Sequence, residues 1–472
     1  MKQDRLGDGH VVHCAAPPAM EENRRGVFIG LKRKRCAHFS METEAPAPEW
    51  NIDRVILSFL LLVGLALLGG CSAPVRSPNN ANAEIRFWNG FTGPDGATME
   101  KIVRQFERET GIRVKMQIIP WATYYDKLVL SLAYGGAPDV FICHANRIAE
   151  FARYGVFRPL DDLIASDPRF DVSDFLPNIW KAGQYEGRQV GLPLDCHPQG
   201  LYYNLQLFRE AGIVDVHGNP KPPQTWQEFL QTARRLTEDK DGDGRPDQWG
   251  FAFTWLRTNW ITFISQHGGS ILSADLKRAT LAEPPAVEAT QQMCDLIYRY
   301  RVAPKPEGFD SWMGFRQGRV AMAIEGIYML SSVEEQKGLQ FAGAPVPSFG
   351  PKRAVWGGSH MLCMPKDISP QRAALVWKFI RYLSDRSLDW AQGGQVPVRK
   401  SILQQPRFRQ MRVQYAFAQQ LPYVVFEPAS HKSTEIMPFY DAAIEAALLG
   451  IKTPQDALDE ARRRIQQVLD RP

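Results

Sequence analysis

The chain has 472 residues, of which 44% are hydrophobic, 23% charged and 11% aromatic, with 56 basic against 51 acidic side chains and a formal charge of +5. This is the composition of a folded protein of roughly two or three domains; it excludes a disordered chain and lacks the basic excess of a phosphate-backbone binder. Seven cysteines without a Cys-x-x-Cys pair argue against a structural zinc site and a thioredoxin-like motif, whereas 12 Trp and 14 Tyr make a high aromatic count.

The first element is Val55–Gly70, an uncharged run of 16 residues ending in Leu68-Gly69-Gly70-Cys71. A membrane-spanning helix needs about 20 residues, while a shorter apolar core followed by small residues is the pattern of a secretory signal. The Leu-x-Gly-Cys ending resembles the lipobox of bacterial lipoproteins. That likeness implies cleavage before Cys71, diacylglycerol on its thiol, and an extracytoplasmic protein held on a bacterial membrane. The alternative is a buried core helix or a simple anchor. Met41–Asp53 is acidic and only Arg54 flanks the apolar core, so residues 1–40 read as the product of a mis-assigned start. Residues 1–70 are thus expected to be leader, with Cys71 and the small polar stretch to Ala83 forming a lipidated tether. Cys143, Cys196, Cys294 and Cys363 have no framework spacing and read as free buried thiols.

From residue 84 the pattern becomes β-loop-α-β. Ile85–Trp88 reads as a buried strand, and Asn89–Gly96 as a Gly/Pro-rich loop. Met99, Ile102, Val103 and Phe106 fall at helical spacing before Gly111, a C-cap glycine. Val114, Met116 and Ile118 alternate as a second strand, and Pro138–Ile142 makes a third. Strands alternating with helices predict a mostly parallel sheet, with ligands at the carboxyl ends of the strands. Loops after the three strands carry Phe91 and Thr92, then Trp121, Tyr124 and Tyr125, then His144, Asn146 and Arg147. Aromatic faces beside hydrogen-bonding side chains suit a sugar, whose C–H face stacks while its hydroxyls need donors and acceptors. Ordinary core aromatics are the competing explanation.

The stretches FWNGFTGPDG, PW–YY–KL, GGAPDVF, GVFRPLDDL, GLPLDCHPQGLYYNLQLFREAGI, FRQGRVAMAIEGIY and WGGSHMLCMPK, in this order, are similar to family 1 extracellular solute-binding proteins of bacterial ABC importers. The likeness covers nearly all of residues 84–470. It implies an α/β, periplasmic-binding-protein-like type II fold, with two lobes hinged about a cleft. The lobes are expected at 84–195 plus 361–405 and at 196–360 plus 406–472, with crossover strands near 195–200 and 356–360. The implied function is to bind a sugar or small oligosaccharide, as a monomer, and deliver it to ABC permease subunits, with no enzymatic activity, no required cofactor and no nucleic-acid partner. Position by position, the likeness adds Asp195, His197 and Tyr203 around the first crossover, and Trp255 and Trp260 after the strand Trp249–Phe253. It also adds Glu325 and Tyr328, then Trp356, Gly358 and His360 at the second crossover, and Arg399 in a cleft loop. Cys143 and Asn146 stand where maltose-type members carry an aromatic and an Asp, which departs from the maltodextrin pattern.

Asp239, Asp241, Asp243 and Asp247 occupy positions 1, 3, 5 and 9 of a DxDxDG loop with Gly244 at position 6, the spacing that wraps Ca²⁺, but Gly250 replaces the bidentate Glu at position 12. The two explanations are a structural calcium loop and a solvated acidic turn. No HExxH, GxSxG or P-loop is present. Two rival functions remain open at this level: the same fold taking glycerol 3-phosphate or a glycerophosphodiester through Arg147, His197 and Arg399, and an exported glycoside-acting enzyme with paired carboxylates. Thr453-Pro454 and Ser369-Pro370 open two further helices whose apolar stripes are packing.

Overall fold

The computed structural model describes residues 84–471, so the apolar run, Cys71 and the tether lie outside the described residues. The strands of the two main sheets are β1 (Glu84–Asn89), β2 (Arg113–Ile118), β3 (Val140–His144), β4 (Gly191–Pro193), β5 (His197–Asn204), β6 (Ala252–Phe253), β7 (Met322–Gly326), β8 (Phe341–Ala344), β9 (Val355–Gly358), β10 (His360–Cys363) and β11 (Val424–Val425). One sheet has the order β2-β1-β3-β10-β4, and the other β11-β9-β5-β7-β6 with β8 also paired to β5. In the first sheet β1 is parallel to β2 and β3, while β10 runs antiparallel to both of its neighbours.

Local sequence explains the elements around the strand ends. The helix Pro94–Thr110 has proline in its first turn, buries Met99, Ile102, Val103 and Phe106, and ends at Gly111 with φ of 70°. Central strand β3 is buried through Cys143, whereas edge strand β2 buries only Val114. Trp121, Tyr124 and Tyr125 belong to the first turns of the helix Trp121–Tyr134, which corrects the expectation of a loop. Pro120 ends the extended segment, and the apolar run behind Tyr125 then winds as a helix. Trp249–Phe253 forms a strand only over Ala252–Phe253. Ser369 and Thr453 cap the helices Pro370–Asp385 and Pro454–Leu469, each accepting a backbone N–H three residues on.

The chain passes between the sheets at Asp195-Cys196 and again at Ser359. These crossings are tied together: the Ser359 hydroxyl donates to the Asp195 carbonyl and the His360 amide to the Asp195 carboxylate. Cys143, Cys196, Cys294 and Cys363 are buried and free. Among the described residues, no helix is long and apolar enough to cross a membrane.

Candidate functional site

A cleft of about 520 Å³ opens at the carboxyl ends of β1 and β3 and runs between the two sheets. From the first-sheet side it is lined by Asp95, Trp121, Tyr125, His144, Asn146 and Arg147. The crossovers add His197, Trp356, Gly358 and His360, and the second-sheet side adds Trp255, Arg257, Thr258, Tyr328, Phe426 and Glu427. A larger cavity, about 910 Å³, lies at the amino ends of the first-sheet strands among Arg86, Asp139, Tyr154 and Arg372. Only the smaller one is faced by both sheets at the strand ends where α/β folds bind ligands.

Three glycines make room for three of the cleft rings. A Cβ on Gly90 would stand 2.3 Å from the Trp121 indole, one on Gly326 2.1 Å from the Tyr328 ring, and one on Gly358 2.0 Å from the His197 imidazole. The aromatic faces are therefore seated on bare backbone, which fixes their orientation more tightly than loop packing would.

Charge in the cleft is already partnered. Arg147 pairs with Glu150 at 2.8 Å and lies 4.2 Å over the Tyr125 ring. Arg257 pairs with Asp441 at 3.0 Å, and Glu427 accepts a 3.1 Å hydrogen bond from Asn146 across the cleft. Burial, then the neighbouring His360 and His197, hold His144 well below the usual histidine pKa; burial and His360 likewise depress His197. Asp195 is fully buried, and burial alone would raise its pKa, but His360 and His197 together draw it below the ordinary carboxylate range. Burial raises the Tyr125 and Tyr328 phenols, so both stay neutral donors.

Seven expected contact residues do not line the cleft. Phe91 is buried behind Trp121, with its ring 5.0 Å from His360, and Thr92 is exposed outside the cleft. Asp195 lies beneath the floor, accepting from His360 Nδ1 at 2.8 Å and Trp390 Nε1 at 2.7 Å. Tyr203 sits six residues along β5 from His197, about 20 Å away at strand rise, and packs on Phe208. Trp260 is fully buried, donating to Thr290 Oγ1 at 2.7 Å. Glu325 is buried behind Tyr328 and borders a separate cavity of about 480 Å³; desolvation pushes its pKa up to about 7. Arg399 is clamped by Asp174 and Asp385, away from the cleft.

Sequence reasoning missed Asp95, Arg257, Thr258, Phe426 and Glu427. The last two follow the apolar pair Val424-Val425 and precede Pro428, a strand-end signal that could have found them. Asp95 lies in the first turn of the helix that follows β1, accepting from Gly93 and Gly96 N–H, and burial raises its pKa.

In the acidic loop, Asp239, Asp241 and Asp247 bring carboxylate oxygens within 4.8 Å of one another, and Asp243 stands outside that set, accepting from Arg245 N–H. Asp239 already accepts from the amides of Gly242 and Gly244. A side chain at Gly250 would run into the Ala233 carbonyl at 1.9 Å, so position 12 cannot supply a ligand.

The family model for bacterial extracellular solute-binding protein matches residues 91–386. The sn-glycerol-3-phosphate-binding periplasmic protein UgpB of Escherichia coli (strain K12) is 24% identical over 450 residues, covering 87% of this chain and 96% of that one. The maltotriose-binding protein of Pyrococcus abyssi is 24% identical over 349 residues, 71% of this chain and 70% of that one. Among solved structures, the ABC substrate-binding protein of Listeria monocytogenes in complex with cycloalternan aligns with a TM-score of 0.70 and 25% identity, covering 82% of this chain and 99% of that one. The α/β fold read from the sequence is the fold observed, and the chain belongs to the bacterial extracellular solute-binding protein family.

Proposed function

We propose that this protein is the substrate-binding component of an ABC importer and that its solute is a sugar or small oligosaccharide. The observation that carries this is the cleft wall: Trp121 and Tyr125 from one side and Trp255, Tyr328 and Trp356 from the other line a volume of about 520 Å³. Between the rings stand hydrogen-bonding groups, including Asn146, Thr258 and the imidazoles. Solute bound to one lobe would be gripped by the other, so its differential affinity drives closure. The protein does not itself carry out catalysis; delivery to permease subunits follows closure.

A phosphate ester is the weaker reading on this geometry. Arg147 and Arg257 already hold carboxylates, and Arg399 is not in the cleft. The test is a thermal-shift panel on the full-length protein with maltose, maltotriose, cycloalternan, sn-glycerol 3-phosphate and glycerophosphocholine. Stabilisation by an oligosaccharide supports the proposal, since a ligand of the native state raises the melting temperature. Stabilisation by the phosphate esters alone contradicts it.

The Leu68-Gly69-Gly70-Cys71 sequence supports export and lipid attachment at Cys71 as part of the same proposal. Mass spectrometry of the membrane-extracted protein should find a diacylglyceryl N-terminal cysteine, and Cys71→Ser should release the protein into the soluble fraction.

A further inference from the structure

Three imidazoles meet at the cleft floor. His144 ends β3, His360 opens β10 directly opposite it in antiparallel register, and His197 opens β5 opposite Gly358. Ring centroids lie 4.8 Å apart for His144–His360, 4.5 Å for His197–His360 and 5.9 Å for His144–His197. One nitrogen of each lies within 4.8 Å of the other two.

The outer partners of these rings are as specific as the rings. His144 Nδ1 is paired with the Tyr125 hydroxyl at 2.5 Å, and His360 Nδ1 with Asp195 Oδ2 at 2.8 Å. Asp195 is itself fixed by Trp390 Nε1. An oxygen partner on Nδ1 sets the ring orientation and leaves Nε2 as the free nitrogen, which is how the surroundings of a metal-ligating histidine prepare it. His197 Nδ1 is buried with no hydrogen-bond partner, 3.5 Å from Asp195 Oδ1. Sugar stacking makes no use of three imidazoles gathered this closely.

We propose that His144, His197 and His360 bind one divalent transition-metal ion of the zinc, cobalt or nickel type at the floor of the cleft. Imidazole nitrogens suit these borderline cations over Ca²⁺ or Mg²⁺, and three protein ligands leave a fourth position for an oxygen of the solute. Metal–nitrogen bonds of about 2.0–2.1 Å place tetrahedral ligands roughly 3.4 Å apart, so ring rotations of about an ångström bring the set to coordination distance. His144 belongs to the first sheet and His197 to the second, so the ion would also tie the lobes at their crossover. The site stands on this cluster alone and holds whichever solute the cleft takes.

The test uses full-length protein stripped with a chelator and dialysed, then titrated with Co²⁺ by absorbance and with Zn²⁺ by calorimetry. The expected result is one equivalent bound with Kd of about 10 µM or tighter and the visible d–d bands of a four-coordinate cobalt ion. His144→Ala, His197→Gln and His360→Gln should each weaken binding at least tenfold, Tyr125→Phe should weaken it through His144, and Asp239→Ala in the acidic loop should leave it unchanged. Failure of the native protein to bind one equivalent below about 1 mM overturns the proposal, as does binding that all three histidine variants retain. Melting curves identify any variant that does not fold, and the cobalt spectrum of the native protein then decides alone.

Discussion

At the residue scale, position along an element decides whether an aromatic or a charge serves the cleft or the core. Trp255 and Trp260 are five residues apart, and about 140° of helical rotation turns the second away from the cleft. Trp255 is 55% exposed, whereas Trp260 is fully buried. Trp260→Ala should therefore destabilise the fold by about 3–5 kcal/mol, read as a lower denaturation midpoint. Glu325 makes a different residue-scale prediction. It is buried against Gly326 N–H, with the Tyr202 and Tyr328 phenols facing it, and its pKa rises from the ordinary 4.5 to about 7. Between those pH values the folded chain keeps a proton that the unfolded chain has lost, so this residue's stabilising contribution falls as pH rises through the window and is gone above it. Glu325→Gln should remove that dependence and make the protein more stable than the native chain at pH 8, by at most about 3–4 kcal/mol. Melting temperatures at pH 5 and pH 8 check it; equal slopes for both proteins would contradict it.

At the element scale, the cleft depends on bare backbone as much as on rings. Gly90 lies directly under Trp121, where a Cβ would overlap the indole. Gly90→Ala should cost about as much solute affinity as losing the indole, by calorimetry, while the far-ultraviolet dichroism of the fold stays native. Part of this scale was legible in the sequence: capping residue and proline marked the starts of the helices at Pro370 and Pro454, and Gly111 marked an end, whereas Asn89–Gly96, read as a loop, begins as strand and ends in the first turn of the helix from Pro94. The helix at Trp121 was not, because the aromatics after Pro120 fit a loop equally well until Leu128 is seen to be buried. Capping can be tested directly. Thr453 accepts from Asp456 N–H at 3.1 Å, and Thr453→Ala should cost about 1 kcal/mol of stability without changing the cleft.

At the scale of the whole molecule, the two sheets meet through Asp195 and Ser359, and strand ends from both converge on one volume. The architecture was readable through the ordered motifs that carry the family resemblance, which the matched family model bears out. The partners of the charges were not readable. Arg399 is held by Asp385, 14 residues away, and by Asp174, 225 residues away, and Asn146 spans the cleft to Glu427, 281 residues away. The histidine floor was legible only in part: His144, His197 and His360 were each expected at the cleft, but their convergence depends on the register of β3 with β10. Solute should close the lobes, so small-angle scattering should show a smaller radius of gyration on saturation.

The central claim is that aromatic faces from both lobes hold the solute. Calorimetric titration of the full-length protein, with the oligosaccharide that stabilises it most, should give one saturable site. Trp121→Ala, Trp255→Ala and Tyr328→Ala should each weaken binding by about 1–3 kcal/mol. Unchanged affinity in all three would contradict the account.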